Sequence, residues 1–217
     1  MCPDHPGSCP CTNWDYRHFD GSGFSSKVRA RCKQLHIEIK GNKLNLQIST
    51  VDTRPIHARL FSNLTAKGCE YFAGSFRGTR GCLIGYDLTS PDGTTPAADV
   101  DSAMSTFAQN VRADWGLFLA SGGEESIDSE DQFIKWLDVA LERMVSFLAI
   151  HPYANGNGHV SRFFILCYLA AAGIFPDSWP IDKRPPGSYI DAIRMYRLGF
   201  ADDLRELVLK HISGDYT

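Results

Sequence analysis

Apolar residues recur every three or four positions through much of the second half of the chain, and this period predicts helices. One stripe runs through Val100, Met104, Phe107, Val111, Trp115 and Leu119. Another runs from Phe133 through Trp136, Leu137, Ala140 and Met144 to Phe147 and Leu148. It follows Ser129-Glu-Asp-Gln132, the pattern of a capping box. His151 precedes Pro152, and proline forces the residue before it out of helical geometry, so this helix is expected to end there. Residues 163–172 are apolar on every side and stop at Gly173, the pattern of a helix at the centre of a bundle. Residues 188–212 fit one or two further helices, with a break at Gly199.

The first half is less regular. Val51, Ile56, Leu60 and Leu64 fall near helical spacing, and Pro55 stands where it can open a helix. Residues 71–87 are interrupted by Gly and Ser, while Cys82-Leu-Ile-Gly-Tyr86 reads as a short strand; together they predict a β-hairpin. Residues 90–96 form a loop by their turn residues. Residues 1–24 are rich in Gly, Pro, Ser and Asp and read as an arm, and residues 25–40 have no clear assignment. The expected organisation is an N-terminal extension over 1–50 and a mainly α domain with a small β-hairpin over 51–217.

A chain of 217 residues with 43% hydrophobic content can bury a sizeable core. Its net charge of −3 argues against broad attraction to nucleic acid or an anionic membrane. No run reaches the roughly 20 apolar residues of a membrane span, and the first residues lack the basic start and apolar stretch of a secretory signal. A cytoplasmic protein is therefore expected. Seven cysteines is an odd count, and Cys32, Cys69, Cys82 and Cys167 stand singly, which suggests reduced, mostly buried thiols. Cys2, His5, Cys9 and Cys11 have the donor types of a zinc site, but their spacing matches no common finger.

The chemistry concentrates in His151-Pro-Tyr-Ala-Asn-Gly-Asn-Gly-His-Val-Ser-Arg162, between two strongly apolar segments. A helix beginning near Gly158 would point its unpaired N–H groups and the positive end of its dipole at the Gly-Asn loop, where a phosphate can bind. Arg162 in the first turns is favourable only if an anion shares the site. His151, at the end of the preceding helix, is a candidate general base for an attacking hydroxyl. Partial negative charge at that helix end is expected to favour its protonated form. The loop lacks the Lys-Ser/Thr ending of a P-loop.

These residues resemble the signature of the Fic family, His-Pro-Phe-x-(Asp/Glu)-Gly-Asn-Gly-Arg-x-x-Arg. His151, Pro152, Gly156, Asn157, Gly158 and Arg162 match it, and Tyr153 stands for the Phe. Ala73-Gly-Ser-Phe-Arg77 is similar to the segment that opens the family's hairpin flap, and the resemblance spans about residues 55–212. It implies transfer of AMP from ATP to a Ser, Thr or Tyr hydroxyl of a target protein. His151 would be the base. Gly156, Asn157, Gly158, His159 and Arg162 would hold the nucleotide, and Gly81, Cys82 and Leu83 would be the flap edge that pairs with the target. Two positions depart from the signature. Asn155 replaces the acid that holds magnesium, and His159 replaces the first Arg. A neutral amide lacks the charge a carboxylate brings to a hard cation, so use of Mg2+ is uncertain. The alternative reading is a catalytically impaired scaffold that binds nucleotide or target peptide without turnover. No Glu is followed by Gly or Asn, so the family's inhibitory helix is not evident, and inhibition by a separate protein remains an option.

Overall fold

A computed structural model of the chain describes residues 11–20, 26–89, 93–177, 179–185 and 187–214. Eight α-helices follow in order: α1 Ser26–Lys40, α2 Leu46–Val51, α3 Arg54–Phe61, α4 Val100–Ala120, α5 Glu130–Ile150, α6 Asn157–Ala171, α7 Tyr189–Arg197 and α8 Asp202–Ser213. Short 3-10 turns occupy Tyr16–Phe19, Glu70–Phe72, Gly81–Leu83, Ala97–Asp99 and Gly123–Ser126. The mainly α class is as the periodicity predicts, and the chain contains no helix long and apolar enough to cross a membrane among the described residues.

Local chemistry sets the helix starts. The Ser129 hydroxyl accepts from Gln132 N, and the Gln132 side chain reaches back to Asp128 N, which satisfies two backbone donors around the start of α5. Asn45 caps α2 through Ile48 N. Pro55 sits in the first turn of α3, where no backbone donor is lost. Buried Asp20 accepts from Lys27 N at 3.0 Å, which ties the arm to the start of α1.

Helix α6 is the axis. Thirteen of its 15 residues are buried, so neighbours surround it on all sides, and α5 packs most closely along it. Phe107, Phe147 and Phe164 meet at ring separations of 5.3–5.8 Å between α4, α5 and α6. The buried indoles find acceptors: Trp136 donates to Tyr168 O at 2.7 Å and Trp115 to Thr50 Oγ1 at 2.9 Å. Val28, Cys32, Leu35 and Ile39 of α1 belong to the same apolar core, so residues 26–50 pack with the helices that follow them.

Two expectations are corrected. Among the described residues there is no strand, and the segment foreseen as a hairpin is a series of turns. Gly74, Gly78, Gly81 and Gly85 all take positive φ, and turns at three- or four-residue intervals coil the backbone where a ladder needs it extended. Gly78 N donates to Leu83 O, and Tyr71 OH accepts from Cys82 N, which closes the coil. Cys82 and Leu83 are buried, so Gly81–Leu83 presents no strand edge to a target. The cysteines are not all reduced either. Cys11 is disulfide-bonded to Cys69, Cys82 is disulfide-bonded as well, and Cys32 and Cys167 are free. The folded arm brings together sulfurs 58 positions apart, a pairing that local spacing does not reveal. Cys11 is therefore no thiolate for zinc, and Cys2, His5 and Cys9 lie outside the described residues.

Candidate functional site

The site forms where α5 ends and α6 begins. His151 caps α5 in the left-handed conformation (φ 53°, ψ 57°), unusual for a residue with a side chain. The turn is held by Arg77, whose side chain is fully buried. Its guanidinium donates to His151 O at 2.8 Å, Ile150 O at 3.1 Å, Thr95 O at 2.8 Å and Tyr86 O at 3.0 Å. A cation thus satisfies the carbonyls at a helix C-terminus, which otherwise have no helical partner. Arg77 N also donates to Pro152 O at 2.8 Å.

His151 Nδ1 lies 2.9 Å from Leu148 O, a carbonyl that can only accept, so Nδ1 carries the hydrogen in the neutral ring and Nε2 keeps its lone pair. Burial pushes the imidazole pKa below its ordinary value, and the positive charges of Arg77 and Arg197 push the same way. The hydrogen bond to Leu148 O opposes them. The helix-end charge expected to favour the protonated ring is outweighed, first by burial and then by the charges of Arg77 and Arg197.

The loop between His151 and α6 is fastened from below. Asn157 is buried and folds its amide back on Tyr153, accepting from Tyr153 N at 2.9 Å and donating to Tyr153 O at 2.8 Å. The Tyr153 hydroxyl, which the Phe of the signature lacks, pairs with Thr53 Oγ1 at 2.7 Å. His57 of α3 is a positioning residue that the sequence pattern did not single out. It stacks on Tyr153 at 3.7 Å, Nδ1 accepts from Gly74 N, and Nε2 donates to Asn155 O at 2.9 Å. Burial holds its pKa down to about 3, so it stays neutral. Only its apolar neighbours Ile56 and Leu60 hinted that α3 would be buried at this point.

The two glycines have different reasons. Gly156 is the N-cap of α6 at φ 82°, and a Cβ there would lie 2.4 Å from the Phe61 ring. At Gly158 a Cβ would lie 3.0 Å from Arg162 Nη1, so the missing side chain gives the guanidinium room over the helix start. Arg162 is buried, and its Nε and Nη2 donate to Ile181 O at 3.2 and 2.9 Å. Burial lowers its pKa.

The two departures from the signature have structural partners. Asn155 Nδ2 donates to Trp14 O of the arm at 3.0 Å, and Oδ1 accepts from Gly156 N at 2.6 Å. His159 is buried and its Nε2 donates to Asp182 O at 3.1 Å, with Tyr16 OH 3.4 Å away. Burial, reinforced by the charge of Arg162, brings the His159 pKa down to about 3, so this ring supplies no cation near neutral pH. Magnesium, implied by the resemblance, would need an oxygen donor at Asn155. That oxygen is already bonded and the position carries no charge, so the residues present do not fit the ion.

These groups open into one cavity of about 690 Å³, a size that suits a small-molecule ligand. His151, Gly156, Asn157, Gly158, His159 and Arg162 all line it, and so does Asn155. Gly81, Cys82 and Leu83 do not. The arm contributes Tyr16 and Arg17, which no sequence pattern placed here. A second groove of about 750 Å³ runs along α1, but its Arg29, His36 and Lys40 face the carboxylates of Asp182 and Asp177. The cavity at the start of α6 is therefore the stronger candidate. Comparison with known proteins returned no matching family model, curated protein or solved structure.

Proposed function

We propose that the chain is a Fic-like nucleotidyltransferase that moves a nucleoside monophosphate, AMP from ATP in the first instance, onto a Ser, Thr or Tyr hydroxyl of a target protein. The observation that carries the proposal is the placement of His151: Nδ1–H is committed to Leu148 O, which leaves Nε2 to act as the base, and the residue lines one cavity with Arg162 and the N-terminus of α6. In this reading Nε2 takes the proton of the target hydroxyl as its oxygen bonds to the α-phosphorus. The bond from that phosphorus to the bridging oxygen breaks, and pyrophosphate leaves with the electron pair. The helix dipole, the first N–H groups of α6 and Arg162 favour the phosphate charge. No step is assigned to a metal ion.

The test is transfer of label from α-labelled ATP to proteins of a lysate. His151→Ala should abolish labelling, and mass spectrometry of the labelled protein should show one added nucleoside monophosphate. Absence of transfer from all four nucleotides, with and without divalent metal, would overturn the enzymatic reading. A second reading, a scaffold that binds without turnover, is favoured by the neutral and occupied side chains of Asn155 and His159. Nucleotide binding that is lost in Arg162→Ala, with no product formed by the wild type, would support it. The disulfide bears on location. Such bonds persist in oxidising compartments and are rare in the cytoplasm, so Cys11–Cys69 supports a site of action outside a reducing cytosol, contrary to the expectation from sequence.

A further inference from the structure

The nucleotide reading leaves a polyphosphate to be neutralised in a site whose two usual helpers are changed, and the cavity wall shows what stands in their place. Asn155 and His159 have become fasteners. Asn155 ties the loop to Trp14, itself fixed by its indole donating to Leu64 O at 2.8 Å. His159 donates to Asp182 O, and Arg162 donates to Ile181 O just before it. Two consecutive carbonyls of the segment preceding α7 are therefore pinned to the first turns of α6. The next two residues, Lys183 and Arg184, are exposed and line the cavity. Arg197, at the last turn of α7, lines it too, and its charge reaches His151. Among the described residues the one acid in the wall, Asp182, is paired with Arg29 at 3.1 Å. A chain of net charge −3 has thus gathered cations around one opening.

We infer that Lys183 and Arg184, with Arg197, bind the phosphates of the nucleotide in place of a divalent cation, the backbone pins from His159 and Arg162 setting the position of the first two. This rests on the nucleotide reading, and it adds that binding is metal-independent and that three residues outside the His151–Arg162 run contribute to it. Cationic side chains on phosphate form the strong class of hydrogen bond, and lysine supplies the point charge that the neutral His159 does not.

The experiment is calorimetric titration of the oxidised full-length chain with ATP, in EDTA and again in magnesium chloride, with adenosine as the uncharged control. Wild-type affinity for ATP should differ little between EDTA and magnesium, by less than about threefold. The K183A/R184A double variant should bind ATP about tenfold or more weakly in EDTA, with adenosine affinity unchanged. Arg197→Ala should show a smaller loss of the same kind. Binding that requires magnesium, or a double variant that binds ATP in EDTA as tightly as wild type, overturns this inference and leaves the nucleotide reading intact. No binding of ATP in either buffer overturns both. Circular dichroism of the K183A/R184A variant, whose altered side chains are exposed, should show the wild-type helix content; a loss of folding that accounts for the weaker binding would also overturn the assignment.

Discussion

A single hydroxyl or methyl group decides much in the loop between α5 and α6. Tyr153 stands where the signature has Phe, and its hydroxyl is matched by Thr53 Oγ1 in a fully buried pair. Removing one partner of such a pair leaves the other unsatisfied, so Tyr153→Phe should destabilise the fold by about 1–2 kcal/mol in urea unfolding. A double variant that also carries Thr53→Val should recover part of that loss. The glycines separate in the same way. Gly156→Ala adds a Cβ against the Phe61 ring at φ 82°, and the combination of strain and overpacking should cost about 2–4 kcal/mol. Gly158→Ala meets only the far end of Arg162, so the fold should survive while ATP affinity falls. Equal unfolding midpoints for the two variants would contradict the geometry. His151 carries the remaining residue-scale prediction. In the proposed transfer His151 acts as an unprotonated base, so activity should fall as pH drops through its pKa, and burial with Arg77 and Arg197 sets that value below 6.5. The acid limb of kcat/KM should therefore lie below pH 6.5.

At the scale of elements, two buried histidines fasten the site: His57 holds the loop to α3 and His159 holds the segment before α7 to α6. Both sit at about 3 against an ordinary value of 6.5. The unfolded chain binds their protons below pH 6.5 while the folded chain does not until about 3, so stability is complete above 6.5 and falls as pH drops through that window. Each ring should cost about 2 kcal/mol at pH 5. Urea unfolding at pH 7.5 and 5 should show the loss, and His57→Gln should flatten it; an unchanged pH slope in that variant would refute the assignment. Helices were the legible elements. α4 and α5 follow from a 3.6-residue apolar period and a local cap, information contained within one segment. Residues 71–87 were not legible, because their route is set by Arg77 reaching the carbonyls of residues 150 and 151 and by glycines at positive φ. Site residues inside the His151–Arg162 run could be read from their spacing. His57 and Trp14 could not, since each acts on Asn155 from about 100 residues away or more in sequence.

For the whole molecule the decisive connection is the one between arm and site. Cys11 is bonded to Cys69, and the few residues after it place Trp14 against His57, Phe61 and Phe72 at ring separations of 5.7–6.2 Å. Trp14 O then receives Asn155, and Tyr16 closes on His159. The arm is thus a wall of the cavity, and the disulfide limits how far that wall can move. A cross-link over 58 positions removes loop-closure freedom from the unfolded chain worth about 4 kcal/mol. The C11S/C69S double variant should lose stability of that order in urea. If Trp14 positions the loop, the variant should also bind ATP more weakly at denaturant-free conditions where it remains folded, and Trp14→Ala in the oxidised protein should reproduce the weaker binding with Cys11–Cys69 intact. Stability loss alone, with ATP affinity unchanged in both variants, would reduce the arm to a clamp on the core. Loss of affinity in both would make the arm a component of the site, and would explain why Asn155 holds a backbone carbonyl where the family signature holds a metal ion.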